Sequence, residues 1–195
     1  MSYELEPGNN MSERRKVARS RKIAKTYKER RKNLWPELTD SDFWSKDSKG
    51  FVCVPRSMPI IMLIMDHFSP NKPISKTYFS LWCRCFDEMV VKADNKIVLA
   101  TEAGFSGERK VTTWKSRIEK LEELGFIKRK ETFDGDLIVL INPFKVILKL
   151  FETDHSNALA VLKDALETRV LEVNSKDLAN LQQDETEEDE EVIEV

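Results

Sequence analysis

Histidine is nearly missing from this chain: His67 and His155 are the two among 195 residues. Neither stands near a cysteine at zinc-finger spacing, and H-E-x-x-H does not occur, so the sequence offers no metal centre. Cysteine is scarce as well. Cys53, Cys83 and Cys85 are too few and too close for a disulfide framework, and the sequence reads them as buried free thiols. The six glycines are scattered, and none builds a phosphate-cradling loop or a G-x-S-x-G elbow. The longest apolar run, residues 60–65, falls far short of the ~20 residues a membrane span needs. Residues 1–13 are polar, so the expectation is a cytoplasmic protein with no secretion signal. These absences support no enzyme: no cofactor, metal, small-molecule substrate or membrane partner is expected.

Charge is what the chain has in abundance, and it is sorted. Charged residues make up 34%, against a typical ~25%. The formal net charge is only -2, yet residues 14–32 hold eleven Lys or Arg against one Glu. Residues 184–195 hold eight Asp or Glu and no base. A basic arm and an acidic tail around a nearly neutral middle point to nucleic acid as a partner. The tail, tethered to the same chain, is expected to compete with nucleic acid for the arm. The 41% of hydrophobic residues suffices for a core between them.

Four segments follow: a basic arm with an aromatic anchor (1–50), a main domain (51–151), a helical extension (152–183) and a disordered acidic tail (184–195). Within the arm, residues 1–13 read as a disordered lead and 14–34 as a helix. Val17, Ala24, Tyr27 and Leu34 form a thin apolar stripe there, and Trp35-Pro36 ends the helix. Asp40, Ser41 and Asp42 are turn formers around Phe43 and Trp44, which are expected to anchor the arm onto the main body. In the domain, helices are expected over 59–68 and over 75–89, the second capped by Ser75. Residues 97–99 read as a brief strand and 101–105 as a short helix.

A longer helix over 108–124 carries Val111, Trp114, Ile118, Leu121 and Leu124 at spacings of three and four, one apolar face. Gly125 stands where a left-handed helix stop belongs. Strands are expected over 126–133 and 136–141, joined by a turn at Asp134-Gly135. Beyond Pro143 the apolar helix 144–151 follows. Leu159, Leu162, Leu166 and Val170 then form a stripe that packs on the domain or pairs with a second copy through residues 156–172. Trp82 and Trp114 could serve as base-stacking platforms, but their place on apolar stripes reads as core.

Short helix, turn, long helix, glycine and hairpin, carried by "ATEAGFSGERKVTTWKSRIEKLEELGFIKRK", resemble a winged helix-turn-helix domain. A wider likeness runs through "YKERRKNLWPEL", "VPRSMPIIMLIM" and "SLWCRCFDE". It resembles a little-characterised family of bacterial winged-helix proteins of plasmid or mobile-element type. The resemblance implies a mostly α chain with a small β-hairpin wing, an α+β fold. Two features depart from the pattern: a rather long turn at Ser106, Gly107 and Glu108, and an acidic wing tip, Asp134-Gly135-Asp136. A groove of negative potential suits such a tip poorly.

In such a domain the start of the second helix faces base edges. Arg109, Lys110, Thr112 and Thr113 stand there, with Lys115, Ser116 and Arg117 one turn on. Taking Trp114 and Ile118 as inward, the reading places Lys110, Thr113 and Arg117 on the opposite side. Lys128, Arg129 and Lys130 are expected to supply wing contacts. Arg14, Arg15, Arg19, Arg21, Lys22, Lys25, Arg30 and Arg31 are expected to meet phosphates without sequence preference. The functional expectation is a non-catalytic, sequence-specific binder of double-stranded DNA. It would be a transcriptional regulator or a replication or maintenance factor of a bacterial or mobile element. The competing expectation is a protein-interaction adaptor on the same fold, favoured by the acidic tip.

Overall fold

The computed structural model describes residues 7–44, 50–85, 88–133 and 135–173, with side chains from residue 21 onward. The side chains of Arg14, Arg15 and Arg19, the turn residue Asp134 and the acidic tail lie outside the described residues. The chain divides into two units, Met1–Gly50 and Phe51–Val195.

In the first unit, α1 (Pro7–Leu34) begins within the stretch expected to be a disordered lead. Pro7 fits a first helical turn, where its missing N–H is no loss. Tyr27 and Leu34 are each 66% exposed, so the expected stripe builds no core within the arm. Instead the chain hooks back after Trp35. Lys28 (3.2 Å) and Arg31 donate to the Asp40 carboxylate, and the Arg31 guanidinium lies 3.9 Å over the Phe43 ring. Hydrogen bonds from Lys28 and then Arg31 hold the Asp40 carboxyl below its ordinary range. Phe43 thus meets a base of its own arm.

The second unit is α+β. Among the described residues it holds the helices α2 (Met58–His67), α3 (Ser75–Trp82), α4 (Lys96–Glu102), α5 (Lys110–Glu123), α6 (Pro143–Phe151) and α7 (Asn157–Glu172). The strands β1 (Val90–Lys92), β2 (Ile127–Thr132) and β3 (Gly135–Leu140) form an antiparallel sheet in the order β1-β3-β2. Val91, Ile138, Leu140 and Ile127 turn inward, against Leu99, Trp114, Ile118 and Leu121 of the helices and against Tyr78.

Three expectations change here. Residues 97–99 are helical, because the Asn95 side chain caps α4 by accepting from the Val98 amide at 3.2 Å. The strand of this region is β1, next to the expected end of the 75–89 helix. That helix stops at Trp82, whose indole N–H donates to the Cys53 carbonyl at 2.9 Å. The cap on α3 comes from Asp66 of α2, not from Ser75. The Asp66 carboxylate accepts from the Ile74 amide (2.8 Å), the Ser75 amide (2.9 Å) and the Ser75 hydroxyl (2.6 Å). The thiols are all free, but only Cys85 is buried, and burial raises its pKa to about 11; Cys53 and Cys83 are exposed.

Two glycines have distinct physical reasons. Gly125, at φ +85°, stops α5 in a double-bonded cap: its amide reaches Glu122 (3.0 Å) and the Phe126 amide reaches Leu121 (2.9 Å). In the hairpin, Thr132 pairs with Gly135, so β3 begins at Gly135, a residue the sequence reading places in the turn. Gly135 has φ +127°, and a Cβ there would stand 2.3 Å from Asp94 Oδ1. The glycine is demanded by its own backbone, because the Asp94 oxygen ends a rotatable side chain that can swing aside. Gly135→Ala should therefore cost about 1–3 kcal/mol in urea denaturation; an unchanged midpoint and slope would refute that backbone strain. The expected acidic tip also changes, since Asp136 sits in β3, bound to Lys96 at 2.7 Å.

The α7 stripe packs within the unit: Leu159, Leu166 and Val170 are buried in its core and α7 lies on α2. Asp154 fastens the α6–α7 link, accepting from the Ser156 amide and meeting His67 of α2, each at 2.8 Å. The His67 hydrogen bond, followed by that of Ser156, holds the Asp154 carboxyl below its ordinary range.

Candidate nucleic-acid interface

α4, a turn at Ser106 and Gly107, and α5 present the residues expected to meet DNA. The core fixes how α5 is rotated. Trp114, Ile118 and Leu121 face inward and are buried. With about 100° per residue, Arg109, Thr112 and Ser116 fall on the far side. Arg109, Thr112 and Lys115 are exposed and Ser116 is half-buried.

Lys110, Thr113 and Arg117 do not stand opposite the core. All three are half-buried on a flank of α5. Lys110 Nζ donates to Thr101 Oγ1 of α4 at 3.1 Å. The Arg117 guanidinium lies 5.9 Å from the Phe105 ring centroid, and its buried Nε has no acceptor. Neighbouring α4 and its turn cover this flank, which the periodicity of α5 alone cannot reveal.

The hairpin separates its three bases. Lys128 and Lys130 are exposed and share the outer face of the sheet with Val139 and Leu137, their partners on β3. Arg129 points to the other face and is tied to α5. Its amide donates to Glu122 Oε1 at 3.1 Å, and its guanidinium meets Glu122 Oε2 at 3.2 Å. Arg129 is thus a strand-to-helix fastener, not a free wing contact. Phe133, to which the sequence pattern assigns no role, stands at the hairpin tip with 104% relative exposure.

The electrostatic sorting of this region is plain. Lys96, Lys120, Arg84 and Arg129 are each paired with Asp136, Glu123, Glu102 and Glu122 respectively. Arg84 holds the Glu102 carboxyl below its ordinary range through their hydrogen bonds. By contrast Arg109, Lys110, Lys115, Arg117, Lys128 and Lys130 have no carboxylate partner among the described residues. Uncompensated cations therefore gather on the first half of α5 and the outer face of β2.

In the arm, Arg21, Lys22, Lys25 and Arg30 are exposed. Lys25 approaches Glu29 at 4.0 Å, and Arg31 is committed to Asp40 and Phe43. The stacking alternative for the tryptophans meets the same geometry: Trp114 is 2% exposed and Trp82 is half-buried on Cys53. Among the described residues there is no cluster of three metal-ligating side chains, and no helix long and apolar enough to cross a membrane. No protein-family model, curated protein or solved structure matches the chain.

Proposed function

We propose that the chain is a non-catalytic, sequence-specific DNA-binding protein of winged-helix type that acts in the cytoplasm. Its role would be that of a transcriptional regulator, or of a replication or maintenance factor of a bacterial or mobile element. The observation that carries this reading is the gathering of unpaired cations on α5 and β2, while neighbouring bases are neutralised. A duplex offers the missing counter-charge at each phosphate. The element order supports the reading too: helix, strand, two helices, then a hairpin whose last strand lies between the others.

In this reading α5 enters the major groove. Arg109 and Lys115 donate to guanine O6 and N7, and Thr112 offers its methyl or hydroxyl to thymine or phosphate. Lys128 and Lys130 neutralise phosphates from the sheet, and Lys110 and Arg117 do so from the α4 flank. The exposed arm bases add contacts without sequence preference.

A gel shift of the full chain on mixed duplexes, at low and moderate salt, separates this reading from a protein adaptor. The expected result is a shift at low salt that retreats as salt rises, with a slope of about 0.9 per neutralised phosphate. No shift at either salt would favour the adaptor.

A further inference from the structure

We infer that the Phe133 ring is a base-stacking platform: it receives an unpaired base where a DNA duplex opens, while α5 and β2 hold the adjoining duplex. This role rests on the DNA-binding reading and adds to it a preferred form of DNA. Phe133 is wholly exposed at the tip of the β2–β3 hairpin, so its ring contributes nothing to the core of its own unit. Single exposed apolar residues are ordinary. What sets this one apart is its mounting and its company.

The mounting is firm. Thr132 pairs with Gly135 across the hairpin, and the Thr132 hydroxyl donates to the Gly135 carbonyl. One residue further along β3, Asp136 is tied to Lys96 of α4 at 2.7 Å. A ring mounted on such a stem gives up little freedom when a base settles on it. The company is cationic. Lys130 and Lys128 stand on the outer face of β2, about 10 and 17 Å along the strand from the tip. Both are exposed and have no carboxylate partner among the described residues, whereas Arg129 between them is neutralised by Glu122. A line of cations leading to an aromatic ring matches a single strand, whose phosphates meet the cations and whose base meets the ring.

Other occupants fit less well. A protein pocket or a bilayer takes up an apolar patch, and the described neighbours of the ring in sequence, Glu131 and Thr132, are polar. Wedging into an intact duplex requires unstacking a base step, which consumes about as much free energy as one ring-on-base stack returns. Glu131 is exposed, and a carboxylate suits a groove of negative potential poorly. A base that is already unpaired requires no unstacking and lies outside the groove. Stacking tolerates any base, so Phe133 selects the form of the DNA and α5 its sequence.

The test measures binding of the full chain, by fluorescence anisotropy at moderate salt, to two DNAs of one sequence. One is an intact duplex short enough to hold a single copy. The other is the same duplex ending in a short single-stranded overhang. The wild-type protein should prefer the overhang by at least about fivefold, the lower end of what one stacked base contributes. Phe133→Leu keeps an apolar side chain but loses the flat ring; it should bind the intact duplex as the wild type does and lose the preference. Phe133→Trp should retain it. The site is exposed, and matching melting curves verify that both variants fold. Equal wild-type affinities for the two DNAs, or a preference that survives Phe133→Leu, would overturn the inference and leave duplex binding standing. Binding to neither DNA would overturn both.

Discussion

Trp114→Ala is expected to lower the unfolding free energy by about 3–5 kcal/mol, the range for truncating a large core aromatic. Trp114 is 2% exposed and sits with Ile118 and Leu121 on the face where α5 meets the rest of the core. Removing it leaves a hole that helices and sheet can fill only in part. The side chain carries one liability, an indole N–H buried without an acceptor. An unpaired buried donor costs about 1–3 kcal/mol. Trp114→Phe sheds that donor while keeping an aromatic ring, so its loss should stay below about 2 kcal/mol. Urea denaturation of both variants checks the pair of values. If Trp114→Ala melts like the parent yet abolishes DNA binding, the residue touches DNA and its core role is wrong.

Arg109→Ala combined with Lys115→Ala should weaken binding to a preferred duplex by roughly 1–3 kcal/mol for each base the two side chains read. Both side chains are exposed on the uncovered part of α5, so the fold should tolerate their removal. Lys110→Ala is the control. Lys110 leans on Thr101 at the α4 flank, where a phosphate is its expected partner. Its removal should weaken all duplexes alike and reduce the salt slope by about one. Titrations of preferred and random duplexes distinguish the two behaviours. Equal losses on both duplexes for the Arg109/Lys115 variant would take base reading away from α5.

The parts of the fold legible in sequence are those governed by local pattern. The α5 stripe reappears as Trp114, Ile118 and Leu121 in the core, and Gly125 stops the helix at φ +85°. The hairpin is legible too, though β3 begins at Gly135, within the aspartate-glycine pair. That pair is a turn signal, and here the glycine answers to its own φ of +127° at the start of β3. α4 is disguised because Ile97 and Val98 look like a strand, while in fact they are 58% and 38% exposed and the burial falls on Leu99 and Ala100. An asparagine cap, present in the sequence, outweighs β-branching.

At the candidate site, spacing tells which residues share a side but not which side α4 covers. Lys110, Thr113 and Arg117 do run together along α5; the neighbouring helix and Phe105 lie against them. For Arg129 a signal is available. Alternation along a strand sends Arg129 to the face opposite Lys128 and Lys130, and Glu122 receives it there.

The central claim, that α5 presents a sequence-reading surface to duplex DNA, is tested most directly by selection. The full chain is mixed with a pool of random duplexes at moderate salt, and the bound fraction is sequenced. One short motif should be enriched, and the Arg109/Lys115 variant should lose this enrichment while retaining low-salt binding through its remaining bases. A bound pool with the composition of the input, or a motif that survives loss of Arg109 and Lys115 unchanged, would contradict it.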